Sequence, residues 1–152
     1  MIINGDNASG AATERQTNRR HRILVVDDDG TILEIIVKGL AASGYLADSS
    51  RNGAAAWQAL QNNQYDLLIT DNKMPKVTGI ELVQKLRCAG MTLPVVLMSG
   101  DLPQELLDRN SSLQLTALVK PFAMKELLEI VKKSLDAAEN ITTRNDQLSE
   151  VE

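Results

Sequence analysis

Three successive carboxylates, Asp27, Asp28 and Asp29, follow an apolar run in the stretch VVDDDGTIL. Clustered carboxylate oxygens suit a hard cation such as magnesium, and two phosphoryl-transfer chemistries fit them. In one, Asp27 and Asp29 serve as nucleophile and acid/base of a phosphatase, in the pattern DxDGT. In the other, Asp27 and Asp28 hold the metal and the nucleophile lies elsewhere. Asp71, Ser99 and Lys120 each follow a further short apolar run. A carboxylate nucleophile can form an aspartyl phosphate. A lysine can pair with a phosphoryl oxygen as a point charge, and a hydroxyl can donate to another. Two anions must meet in such a reaction, so catalysis is mostly positioning and charge neutralisation.

The elements that must position these groups alternate between short apolar runs and helical stretches, the pattern of a parallel α/β fold. Strands are expected over residues 23–26, 45–49, 66–70, 94–98 and 115–119. Helices are expected over 31–43, 54–62, 80–89, 103–109 and 123–138, with Gly44 and Gly90 as stops after the first and third. The run at 23–26 is rich in β-branched residues, as a strand buried on both faces should be. In a doubly wound sheet, ligands bind beyond the carboxyl ends of the strands. All the groups named above fall at such ends, on one rim. A lone Asp after a strand is usually a cap or turn residue; acids, a hydroxyl and a lysine at four strand ends exceed what chance would supply.

The chain has 152 residues, 43% hydrophobic and 24% charged, enough for one domain with a real core. Residues 1–20 read as a disordered leader, 21–138 as the folded domain, and 139–152 as a polar tail. A net charge of −4 argues against direct nucleic-acid binding. No apolar run is long enough to cross a bilayer and no signal-peptide core is present, so a cytoplasmic location without membrane contact is expected. Cys88 is the only cysteine and His21 the only histidine. Internal disulfides and Cys-based zinc sites are thereby excluded. His21, among arginines, reads as a solvated residue leading into the first strand, and Trp57 as a packing residue.

The set VVDDD, ITDNKMPKVTG, VLMSG and VKPF resembles the receiver domain of bacterial two-component response regulators, in order and spacing, over about residues 22–138. The resemblance implies a flavodoxin-like (βα)5 three-layer sandwich with a parallel five-stranded sheet of order 2-1-3-4-5. It implies that Asp71 is the phosphoacceptor, that Asp27 and Asp28 form the acidic pair, and that the carbonyl of Lys73 completes the Mg2+ site with Asp71. Ser99 matches the switch hydroxyl and Lys120 the lysine that contacts the phosphoryl group. The Lys120–Pro121 bond resembles the family's cis peptide. The implied partners are a sensor histidine kinase or a histidine phosphotransfer protein, and an unknown downstream protein. The implied activity is a signalling switch with only self-directed phosphoryl uptake and loss, in a stand-alone regulator or a piece of a hybrid kinase. MPxxG adds support, since Pro75 and Gly79 suit a tight loop after the acceptor strand.

The same VVDDDGTIL also resembles the first motif of haloacid-dehalogenase phosphatases, with Ser99 and Lys120 as later motifs. That fold needs a further acidic pair on a strand beyond the lysine, where this chain has a helical pattern. It also needs a flap after the first motif, and it leaves Asp71 and MPKVTG unused. Asp29 and Gly30 are therefore expected to cap and start a helix. A pseudo-receiver, an interaction module without chemistry, is the third alternative; the complete set of groups argues against it. One departure from the receiver pattern is Ala117, where many receivers carry an aromatic switch residue. Lys73 and Asp101 each lie two residues beyond a site residue, where a Lys–Asp pair could overhang a phosphoryl group.

Overall fold

The computed structural model describes residues 19–101 and 113–151. Five parallel strands, β1 (Arg22–Val26), β2 (Leu46–Ser50), β3 (Leu67–Asp71), β4 (Val95–Ser99) and β5 (Leu115–Val119), form one sheet of order β2-β1-β3-β4-β5. Four described helices cover it: α1 (Gly30–Ala42), α2 (Gly53–Asn62), α3 (Gly79–Cys88) and α4 (Met124–Val151). The expected sheet order holds. The helix expected over 103–109 and most of the expected leader lie outside the described residues.

Side chains of one strand alternate between the two faces of the sheet. Ile23, Val25, Leu67, Ile69, Val96 and Met98 meet α1 and α4 through Leu33, Ile36, Leu40, Leu127 and Val131. Leu24, Val26, Leu68 and Leu97 meet α2 and α3 through Ala56, Leu60, Leu82 and Leu86 on the other face. The β3 and β4 strands are buried along their whole length. Burying a side chain of this size contributes about 1.5–3 kcal/mol. That rigid floor fixes where each strand ends.

Caps fix where the helices begin. Asp29 accepts from the amides of Thr31 and Ile32, Asn52 from Ala55, and Thr78 from Glu81. Each cap satisfies an amide that the first turn of a helix leaves without a partner. Gly44 and Gly90, both at positive φ, follow the ends of α1 and α3 as expected.

The α4 helix continues well past the end of the helix expected over 123–138. It runs unbroken to Val151, with no Gly or Pro to stop it. Loss of the apolar period reads as a boundary in sequence, but adding a residue to a formed helix costs far less than starting one. Ile141 is 60% exposed, so the helix has by then left the body of the domain. Near that point His21 Nε2 meets Glu139 Oε1 at 2.7 Å. His21 is thus a paired residue rather than a merely solvated one.

Candidate functional site

The carboxyl-end rim of the sheet holds the groups that the sequence placed there. Asp27 directly follows β1 and Asp71 ends β3, and both are buried; Asp28 is exposed at the start of the loop to α1. One carboxylate oxygen from each lies within 4.8 Å of the others. Lys120, directly after β5, places its ammonium 2.9 Å from Asp71 Oδ1 and 3.5 Å from Asp27 Oδ2. The Lys120–Pro121 peptide is cis. With all three acids ionised, one ammonium leaves a surplus of two negative charges.

That surplus marks the pKa values. Burial pushes the Asp27 carboxyl above its ordinary range and the charge of Asp71 pushes it further. The Asp29 backbone amide and Lys120 pull it back in part. Burial pulls Lys120 down, but its hydrogen bond to Asp71 and the charges of Asp27 and Asp71 outweigh this and raise it. Lys120 therefore carries its charge at neutral pH. Hard carboxylate oxygens with excess negative charge fit a divalent cation held by oxygen, the donor chemistry of magnesium.

Ser99 ends β4 and is buried, yet its hydroxyl donates to the Asp101 carbonyl within its own loop. The Asp101 amide returns a bond to Ser99 Oγ at 3.3 Å. Among the described hydrogen bonds its hydroxyl makes none to Asp27, Asp71 or Lys120; only its backbone carbonyl accepts the Lys120 amide, at 2.8 Å. Lys73 and Asp101 do form an ion pair over the rim, at 3.6 Å and almost fully exposed. Asp29 takes no part in the cluster through its carboxylate, which is spent on capping α1. The α1 helix begins at once with Gly30, leaving no room for a flap, so the phosphatase reading fails on two counts.

Two residues that the sequence reading passed over also touch the site. Arg51 Nη2 donates to the Asp28 carbonyl at 3.2 Å. Asn72, buried directly after Asp71, accepts the Ile80 amide on its side-chain oxygen. A polar residue where an apolar one could have extended β3 was the only signal for Asn72. Arg51, beside a cap residue, gave none. Gly79 has no room for a Cβ, which would strike the Asp71 carbonyl, so α3 starts hard against the end of β3. Trp57 packs against the α2–α3 core with the Lys85 ammonium 4.7 Å from its ring centre, as a packing residue should.

Known proteins place this geometry. A family model for the response regulator receiver domain matches residues 23–132. The probable transcriptional regulatory protein SilR of Salmonella typhimurium is 35% identical over 127 residues, covering 82% of this chain and 55% of its own length. The response regulator MprA of Mycobacterium bovis is 32% identical over 137 residues, covering 84% and 59%. The chain thus spans just over half the length of these relatives. The receiver domain of the Francisella response regulator 1452 superposes with a TM-score of 0.73 at 28% identity, covering 78% of this chain and 99% of that one. The Thermotoga maritima response regulator TrrA, solved in complex with Mg(2+)-BeF, gives 0.68 at 33% identity, covering 75% and 98%. By its family match, its sheet order and its acidic pocket, this chain belongs to the response regulator receiver domain family.

Proposed function

We propose that Asp71 takes a phosphoryl group from a phosphohistidine on a sensor kinase or a histidine phosphotransfer protein. The observation that carries this reading is the Asp27–Asp28–Asp71 cluster with Lys120 bridging its two buried acids. An Asp71 carboxylate oxygen forms the new P–O bond as the P–N bond of the donor breaks and the imidazole leaves with the electron pair. Lys120, already against Asp71 Oδ1, pairs with a phosphoryl oxygen as charge arrives. Asp27, Asp28, Asp71 and the carbonyl of Lys73 are the residues that would hold magnesium. Bound there, magnesium neutralises the charge of the acids and of the incoming phosphoryl oxygens.

Ser99 is the switch in this reading. Its hydroxyl must leave the Asp101 carbonyl to donate to a phosphoryl oxygen, which releases the loop beyond β4. Ala117, on β5 opposite Leu97, has no ring and no rotamer to turn, so output depends on that loop and on the changed charge of the rim. A protein donor has a surface to rest on beside the site. An apolar hollow of about 500 Å³ lies between α1 and the β5–α4 turn, lined by Ile32, Ile35, Ile36, Phe122 and Met124, with Lys120 at its edge. The domain's output acts through a protein target, and the relatives' description as transcriptional regulators makes a DNA-binding partner or fused domain the natural form of it.

Transfer from a charged histidine phosphotransfer protein tests the proposal. In magnesium buffer the phosphoryl group should move to this chain as an acyl phosphate that hydroxylamine cleaves. A hydroxylamine-resistant label on a serine or threonine would refute it.

A further inference from the structure

Asn72 ties three elements together immediately beyond Asp71. Its amide donates to the Met98 carbonyl on β4 at 2.9 Å, and its carbonyl accepts from Gly79 at 2.9 Å. Its side-chain oxygen accepts from the Ile80 amide at 3.2 Å. The chain therefore leaves β3 pinned at Asn72 and returns to the same residue at the start of α3. The six residues between, 73–78, form a closed loop with its base at Asn72.

The rest of that loop is confined too. Lys76 has φ +71°, uncommon for a residue with a side chain. A Cβ on Gly53, the first residue of α2, would lie 2.7 Å from Val77 Cβ, so the loop is seated closely on that helix start. Gly79 sits against the Asp71 carbonyl. A single-residue anchor at the base of a confined loop fixes the direction of the peptide that follows it.

We infer that Asn72 is a positioning residue, whose side-chain hydrogen bond to Ile80 presets the backbone of residue 73 and thereby the affinity of the acidic cluster for a divalent cation. The inference rests on the proposed role of the Lys73 carbonyl as a metal ligand. Partners one step behind a ligand set its orientation, and losing one typically weakens metal binding by about tenfold or more.

The test uses the full chain with Asn72→Ala, and with Asn72→Leu in case the smaller side chain impairs folding. Asn72→Asp is the conservative variant, since a carboxylate oxygen can still accept the Ile80 amide. Amide exchange without metal reports whether the bond is lost, magnesium titration by calorimetry reports affinity, and uptake from a small acyl phosphate reports the reaction. The expected result is faster Ile80 exchange and about tenfold weaker magnesium binding in Asn72→Ala or Asn72→Leu. Phosphoryl uptake should be slowed at low magnesium and recover at saturating magnesium. Asn72→Asp, which also adds a negative charge beside the cluster, should keep the parental Ile80 exchange and bind magnesium at least as tightly as the parent. Parental magnesium affinity together with accelerated Ile80 exchange would overturn the inference. Failure of the parent chain itself to bind magnesium or take up phosphate would instead count against the proposed function.

Discussion

The two rims of the sheet handle charge in opposite ways. At the amino end, charges meet partners of opposite sign or bare carbonyls. Arg22 pairs with Asp48 at 2.7 Å and lies over the ring of Tyr65, whose hydroxyl donates to the same Asp48. Burial and Asp48 together push that phenol up to about 12, so it stays a donor throughout the working pH range. Arg87, half-buried at the end of α3, donates to the carbonyls of Met91, Leu93, Leu113 and Gln114. It thereby fastens the segments leading into β4 and β5. At the carboxyl end, three acids share one lysine, and Asp27 is held where its charge is unwelcome. One rim is satisfied and stabilising; the other retains an electrostatic cost that a cation and a phosphoryl group can relieve.

The largest break in this contrast should come from Arg87. Arg87→Ala leaves four carbonyls short of a donor and should lower stability by about 3 kcal/mol. Denaturant unfolding measures that loss, while phosphoryl uptake by the folded fraction should be unchanged. Next, Ile35→Glu places a charge at the apolar hollow beside Lys120. It should slow transfer from a phosphohistidine protein by about tenfold, roughly 1.4 kcal/mol, and leave uptake from a small acyl phosphate intact.

Asp27→Asn should stabilise the domain at neutral pH by roughly 1 kcal/mol, about 4 °C in melting temperature at this chain length. The sign follows from the raised pKa of Asp27. Its native state favours the proton, so stability is full below the ordinary value of 3.8 and falls as pH rises through the raised one. The advantage of the Asp27→Asn variant should therefore grow as pH climbs from about 4 toward neutral, which melting curves across that window will show. The smallest effect belongs to the exposed Lys73–Asp101 pair. Replacing both with Ala should change stability by less than about 1 kcal/mol, yet alter the rate of dephosphorylation by opening the rim to water. An unchanged rate would mean that the pair is two solvated charges.

The satisfied rim and the acidic rim were not equally legible. Strand ends and the polar groups that follow them were legible from short apolar runs, and the sheet order from the resemblance to receiver domains. The cap role of Asp29 was legible because a helical pattern begins directly after it. The amino-end clusters were not, since Arg22, Asp48 and Tyr65 meet only once β1, β2 and the segment before β3 are brought side by side. Arg87 falls in the last turn of α3, where a basic residue is ordinary, and nothing local distinguishes one that gathers four carbonyls. The continuation of α4 escaped for a different reason. Polarity ends an apolar face without ending a helix, and only a Gly or Pro would have marked a stop there.

Phosphoryl uptake from a small acyl phosphate, mapped to its residue by mass spectrometry, tests the central claim most directly. The full chain with magnesium should gain one phosphoryl group on Asp71, and none when magnesium is chelated or when Asp71 is replaced by Asn. Retention of the label in Asp71→Asn, with its loss in Asp27→Asn and Asp29→Asn, would contradict the account and return the first acidic cluster to the role of nucleophile.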